Sequence, residues 1–548
     1  MALTGAAEAT EAALTSCLPA RLRERVRTAK GGRILRRPVV YWMQSSLRAH
    51  ENPALDVAAA VAGALEVPML VLIHVADRYR HATARRQLFL LEGARSAQAE
   101  LRQRGVEALQ VQVDRKGHRE PVCSMLARRA SLVIAEEPFC VPWLAGVELL
   151  CGEAFEAPVW LVDCSSVVPS ALVPRSACHR AYAFEQATRG LHEERVPVPW
   201  QDVPLGGCPR GVADEVLAPC VAGLPPSVDL ESQDLASLVW DMEVDLSVAS
   251  VSHTTPGGSA AGYSRWRSWI ESGGLKAYAK RRNDSLDIHG VSRMSAYLNA
   301  GMVSPLRLAR EASKASGSGK GKFLQEFLTW RGLSYAHCYH FPMPASGATL
   351  AQLPRWAQET LGQHAADPRR TIPRELLAVG RSGDAAWDGM QRYLVQTGEL
   401  HNNARMGWGK AIARWAASPQ DALEALLELN NRFALDGHAP PSYGGLLGCL
   451  GLFEGPKGDS AVLGKVSYKP PKSRYAAMPE MARELLATAE GKPSVLSLLS
   501  AEPAGACICE AAGSARGDSG DAAADTEPRK RRWQARLRDD AAVCIDLT

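Results

Sequence analysis

No apolar run in this 548-residue sequence reaches the 18 residues that a membrane-crossing helix needs, so no membrane span is expected. The opening stretch, MALTGAAEATEAALTSCLPARLRERV, lacks the apolar centre of a secretory signal, and Glu8, Glu11 and Glu24 weaken a transit-peptide reading. An excess of one charge is also missing. Against 63 Lys+Arg stand 59 Asp+Glu, and the net +4 excludes a histone-like or polyanionic protein without excluding a local basic face. The 13 cysteines include no Cys-x-x-Cys pair, Cys507-Ile508-Cys509 being the nearest approach. No metal or iron–sulfur site is therefore expected, and the scattered spacing is unlike a secreted disulfide scaffold. Reduced thiols in an intracellular protein are expected. With 46% apolar and 22% charged residues the composition is that of a globular protein, and the length suits two to four domains.

The pattern divides the chain. Residues 1–37 read as a leader with one basic amphipathic stretch from Leu18 to Arg37. Residues 38–170 alternate short apolar runs with helical periodicities. Val39–Met43, Pro68–Val75, Ser131–Ala135 and Ala157–Asp163 have the continuous apolar character of strands buried on both faces. This alternation predicts a doubly wound parallel α/β domain. Its first loop, Gln44-Ser45-Ser46-Leu47-Arg48, has no G-x-G-x-x-G, so NAD binding finds no support. Residues 171–260 are proline-rich and read as a linker with one short helix. Residues 261–490 carry long helical patterns with no strand series and predict a large all-α domain. Residues 491–548 read as a disordered, Ala/Gly/Ser/Asp-rich tail. The tail's basic cluster, Arg529 to Arg532, fits either a nuclear-import signal or a charged end; an organelle is not excluded. Gly317 to Lys322 (GSGKGK) lacks the P-loop form and reads as a helix–helix loop.

Trp408 and Trp415 are seven residues apart on a predicted helix, so their rings project from one face, and Trp387 precedes Trp408 by 21 residues. Spacing alone leaves core packing and an electron-hopping chain both open.

The motifs in and around this segment narrow the choice. Ala404-Arg405-Met406-Gly407-Trp408 after His401, the run Leu429-Asn430-Asn431-Arg432-Phe433-Ala434-Leu435-Asp436-Gly437, Tyr41-Trp42-Met43-Gln44, and Ser292 to Pro305 (SRMSAYLNAGMVSP) occur in the order found in class II DNA photolyases. The chain resembles that branch of the photolyase/cryptochrome family over residues 38–480. The resemblance implies FAD in the helical domain and leaves open a second, antenna chromophore in the α/β domain. It implies a cofactor shell of Tyr278, Ser292, Arg293, Met294, Ser295, Arg331, Arg405 and Asp436, with Arg405 and Asp436 as an ion pair beside the flavin ring. Asn430 corresponds to the residue facing flavin N5. Trp408, Trp387 and Trp415 correspond to an electron chain in that order from the flavin. Lys465, Lys469, Lys472 and Arg474, interleaved with Tyr468 and Tyr475, would contact DNA phosphates, or form a solvated face.

Three departures bear on the substrate pocket. Gly332 stands where the family's W/R-R-E-L motif has a substrate-contacting Glu, Gly448 where it has a dimer-packing Trp, and Asp436-Gly437-His438-Ala439-Pro440-Pro441 replaces D-G-R-D-P-N. The expected activity is light-driven repair of cyclobutane pyrimidine dimers by a monomeric lyase acting on UV-damaged DNA. A cryptochrome-like photoreceptor that has lost repair, and a DNA-binding protein without photochemistry, are the rivals.

Overall fold

The computed structural model describes residues 10–106, 108–205 and 210–487. Six strands form one sheet: β1 (Val26–Lys30), β2 (Val39–Met43), β3 (Met69–Val75), β4 (Ala108–Val113), β5 (Leu132–Glu136) and β6 (Val159–Val162). Their order is β1-β6-β5-β2-β3-β4. The pairs from β2 to β6 are parallel, in register Val39 to Met69 and Val39 to Leu132. β2 and β5 are buried at every position, which is why they read as unbroken apolar runs. The order reverses at β2, as expected of a doubly wound sheet. Helix Pro53–Leu65 starts where Asn52 accepts from the amides of Ala54 and Leu55, with proline at its first turn.

Two boundaries differ from the sequence reading. The leader is part of the domain: β1 pairs antiparallel with β6, Thr28 opposite Trp160. Glu11 accepts from the Trp160 indole and Leu14 is fully buried. Charged positions in β1 hid it, because an edge strand buries only part of its surface. The linker is also more ordered than expected. It contains helices Ala181–Arg195, Arg210–Val221 and Leu235–Trp240. Its prolines sit mostly between these helices, where they broke the periodicity.

From Ser259 to Ala487 the described residues form helices only, as expected. The expected helix–helix loop at 317–322 is partly borne out. It joins helices Pro305–Lys314 and Lys320–Glu326, the latter beginning inside it. The tail, with the Arg529–Arg532 cluster, lies outside the described residues.

The α/β domain grips the helical domain through arginines. Buried Arg85 donates to the carbonyls of Leu394 (3.3 Å), Val395 (2.5 Å) and Phe433 (2.7 Å). These lie in the last turns of helices Ala385–Thr397 and Pro419–Phe433, where carbonyls run short of intrahelical partners; the Leu394 carbonyl also accepts from the Gly398 amide. Burial lowers the Arg85 pKa to about 10. Arg48 donates to Gly301 (2.7 Å), whose φ of +63° and contact with Ser45 leave no room for a side chain.

Candidate functional site

A cavity of about 550 Å³ opens within the helical domain. Tyr278, Ser292, Arg293, Met294, Ser295, Arg331, Arg405 and Asp436 all line it. They come from separate stretches of the chain, so the fold gathers the residues marked by the resemblance around one cavity.

Arg293 has a left-handed backbone, φ +54°, which turns the chain between Ser292 and helix Ser295–Asn299. Its guanidinium bonds Glu399 at 2.6 Å, and Arg265 reaches the same carboxylate at 3.1 Å. Burial alone would raise the Glu399 pKa, but Arg293 and Arg265 overcome it and hold the carboxyl down to about 2. Arg331 donates to Asn299 Oδ1 (2.8 Å), the Leu298 carbonyl (3.0 Å) and the Tyr335 hydroxyl (3.1 Å). It thereby locks helix Ser295–Asn299 against helix Gly332–His340. Arg405 and Asp436 form the expected pair, 2.9 Å and 3.1 Å from one guanidinium nitrogen to the two carboxylate oxygens.

His401 caps helix Asn402–Trp415, its Nδ1 accepting from the Asn403 amide. Its Nε2 lies 3.0 Å from the Arg282 carbonyl and therefore carries the proton. Burial lowers its pKa to about 4, so it is neutral.

Asn430 sits just behind the wall. It is 1% exposed and does not line the cavity; its amide nitrogen donates to Ser442 Oγ (2.8 Å), and Ser442 is the residue on the wall. The Asn430 Oδ1 is buried without a partner.

The departures also separate. Gly448 lines the cavity. Gly332 does not: a Cβ there would lie 2.6 Å from the Phe184 ring, on the side packed against the linker. His438 is buried outside the lining, with both ring nitrogens unpartnered. Pro441, changed in the same segment, does line the cavity, so two of the three departures border it and Gly332 does not. Sequence spacing could not show this, because the turn at Phe327–Arg331 is π-helical and shifts the helix phase before Gly332.

Trp408 and Trp387 are fully buried and stacked, centroids 6.2 Å apart at 7°. Trp387 and Trp415 meet edge-on at 5.6 Å, and Trp415 is 9% exposed. Trp387 is thus the middle ring. Its indole N–H donates to the Trp408 carbonyl at 2.9 Å, and the Trp408 indole donates to Gln391. Arg405, on the cavity wall, lies one turn before Trp408 on the same helix.

Lys465, Lys469, Lys472 and Arg474 lie outside the cavity lining. Lys465 and Lys472 are exposed, and Arg474 pairs with Asp284 at 3.1 Å. Burial, then Lys472 and Lys410, lowers the Lys469 pKa, as expected inside a positive patch.

Sequence reasoning missed Glu399, Ser442 and Trp330 as cavity residues. Among the described residues no group of His, Cys, Asp and Glu forms a metal site, and no helix is long and apolar enough to cross a membrane.

The cavity accepts a dinucleotide cofactor by its chemistry. Aromatic Tyr278, Phe323, Phe327 and Phe453 form apolar walls, while Ser292, Ser295 and the arginines supply donors. The Nε atoms of Arg282 and Arg331 are buried without a partner, and such donors call for an acceptor.

The family model for DNA photolyase matches residues 39–193. The deoxyribodipyrimidine photo-lyase of Methanothermobacter thermautotrophicus is 30% identical over 436 residues, 78% of this chain and 90% of that protein. That of Oryza sativa subsp. japonica is 29% identical over 451 residues, 79% of this chain and 83% of that protein. A bacterial class III photolyase from Agrobacterium tumefaciens has the same fold, with a TM-score of 0.57 at 16% identity over 83% of this chain and 87% of that one. The chain belongs to the DNA photolyase family, flavoprotein lyases of DNA repair whose cofactor is FAD.

Proposed function

We propose that this protein repairs cyclobutane pyrimidine dimers in DNA with light, holding FAD in the cavity of the helical domain. One observation carries the reading: a donor-rich cavity whose wall residue Arg405 lies one helical turn from Trp408, the first of three tryptophans joined by successive ring contacts through Trp387 to Trp415.

Ser292, Ser295 and Arg293 would bind the cofactor's phosphates, the hydroxyls and guanidinium donating to anionic oxygens. Arg405 and Asp436 would hold the redox-active ring, one as donor and one as acceptor. Asn430 would act through Ser442, whose hydroxyl it orients. Reduced FAD held by these residues would supply the electron that splits the cyclobutane ring and would recover it afterwards, so the reaction would use no net oxidant or reductant. Trp408, Trp387 and Trp415 would carry electrons inward to keep the cofactor reduced. The dimer must leave the base stack to reach the cavity. Lys465, Lys469, Lys472 and Arg474 would hold the flanking phosphates, Arg474 least because Asp284 already neutralises it. An antenna chromophore, where bound, belongs with the α/β domain.

The photoreceptor reading drew on Gly332 and Gly448. With Gly332 packed against Phe184, Gly448 alone speaks for it.

The test is a repair assay. The protein with reduced FAD is mixed with single-stranded and duplex oligonucleotides carrying one thymine dimer, and remaining dimers are counted after near-UV/blue light and in the dark. Light-dependent loss supports repair. No loss, with a flavin that still photoreduces, sinks it in favour of a photoreceptor.

A further inference from the structure

The chain enters helix Ser295–Asn299 through a conformation that its residue does not favour. Arg293 has φ +54°. A left-handed backbone is disfavoured about 5- to 30-fold for a residue with a side chain, and glycine or asparagine is its usual occupant. Such a turn persists only where its surroundings over-determine it, and strain of this kind clusters at ligand clamps.

The group that holds the turn is a carboxylate. Glu399 accepts from Arg293 Nε at 2.6 Å and from Arg265 at 3.1 Å. The same Arg265 nitrogen reaches the Arg293 carbonyl at 3.3 Å. Its second terminal nitrogen donates to the Thr254 carbonyl (2.7 Å) and the Thr255 hydroxyl (2.9 Å), and Thr255 donates on to Glu399 at 3.1 Å. The Arg265 guanidinium also lies over the Tyr297 ring, 5.2 Å from its centroid. The side chain and the carbonyl of Arg293 are thus both fixed, by groups from helix Ser259–Glu271, the segment before it and the segment before helix Asn402–Trp415.

What the turn presents is unpartnered. Ser292 and Ser295 flank it and line the cavity, and neither hydroxyl has a hydrogen bond with a described residue. Glu399 lines the cavity too, but with three donors on its two oxygens it is committed to the wall.

We propose that Glu399 is a positioning residue for the cofactor: through Arg293 and Arg265 it holds the strained turn that presents Ser292 and Ser295 to the phosphates of FAD. This deepens the reading of the cavity as the FAD site and rests on it. The same contacts permit the opposite sign. A carboxylate that only competed with the phosphates for the two guanidiniums would, once removed, leave FAD bound more tightly, so the direction of the change decides.

The test titrates FAD into the full chain freed of its flavin. Flavin fluorescence gives the dissociation constant, and phosphorus NMR and the flavin absorption bands of the loaded protein give two further readouts. Glu399→Gln is expected to weaken FAD binding about 5- to 30-fold, the factor by which the turn is disfavoured. It should move the pyrophosphate resonances and leave the absorption bands of the ring, which Arg405 and Asp436 would hold, unchanged; a general loosening of the domain would alter both. In an Arg293→Asn background, where the residue accepts the left-handed form unaided, adding Glu399→Gln should weaken binding less than about threefold. Should Glu399→Gln fail to fold, Arg265→Gln breaks the other arm of the network and is read by the same criteria. Binding equal to or tighter than that of the parent, or the same loss in both backgrounds, overturns the proposal while the cavity reading stands. Unchanged FAD affinity in Arg405→Ala would put the cofactor elsewhere and overturn both.

Discussion

The Arg405–Asp436 pair shows how a single contact shapes the site. The two side chains are 11% and 17% exposed, so removing either leaves a charge in a poorly solvated place. Asp436→Asn is expected to destabilise the protein by about 3 kcal/mol, the low end for a broken buried pair because some solvent reaches both groups. It should also lower the FAD content of the purified protein. Urea unfolding and the flavin-to-protein absorbance ratio read the two effects. Trp387 permits a cleaner separation, because it touches both other rings and lines no cavity. Trp387→Phe should slow photoreduction of oxidised flavin at least tenfold. Repair by protein whose flavin was reduced chemically beforehand should remain close to that of the parent. Equal loss in both assays would mean that the ring matters for packing, not for electron supply.

Helices place these rings. Helix Ala385–Thr397 presents Trp387, and the short helix Ser473–Ala477 lies directly on it at Gly389. A Cβ on Gly389 would sit 2.2 Å from the Tyr475 carbonyl oxygen and 2.9 Å from the Ala476 Cα. Both are backbone atoms and cannot swing aside as a side chain does. Gly389→Ala is therefore expected to cost about 1–3 kcal/mol despite the better helix propensity of alanine, with a matching fall in melting temperature. A stabilised variant would show that helix Ser473–Ala477 is not held where the contact places it. The same logic separates the glycines of helix Pro440–Gly448. Gly444 is needed for a close crossing with Ser334, whereas Gly445 and Gly448 border empty space.

At the scale of the whole molecule, buried histidines set the response to acid. Burial lowers the pKa of His81 to about 3, of His192, His337 and His401 to about 4, and of His438 well below the usual value. A depressed base binds its proton more readily in the unfolded chain, so each histidine destabilises the fold as pH drops below about 6.5. Burial raises Asp56 and Glu136 to about 7, and these carboxyls act in the opposite sense, stabilising the fold as pH falls from 7 towards their unfolded values. The histidines outnumber them. Stability is expected to fall by roughly 3 kcal/mol per pH unit around pH 5.5, each net proton contributing about 1.4. Melting temperatures at pH 7.5, 6.5 and 5.5 check the sign: a rise towards pH 5.5 would mean that the carboxyls dominate.

The sequence by itself determined which segments became buried parallel strands, because β2 and β5 bury every residue and their composition records it. The eight residues that the resemblance marks for the cofactor also line a single cavity, although they lie far apart in the chain. The sequence was silent where burial is one-sided or helix phase is local. β1 pairs at an edge and keeps its charges, so it read as a leader. The linker's helices were hidden by the prolines between them. Only the tertiary structure decided that Asn430 stands behind Ser442, that Gly332 faces Phe184 and that Trp330 borders the cavity. The reason is physical. Spacing along a chain fixes a side chain's direction only relative to its own helix, and whether that direction meets a wall, a void or solvent depends on other elements packed against it.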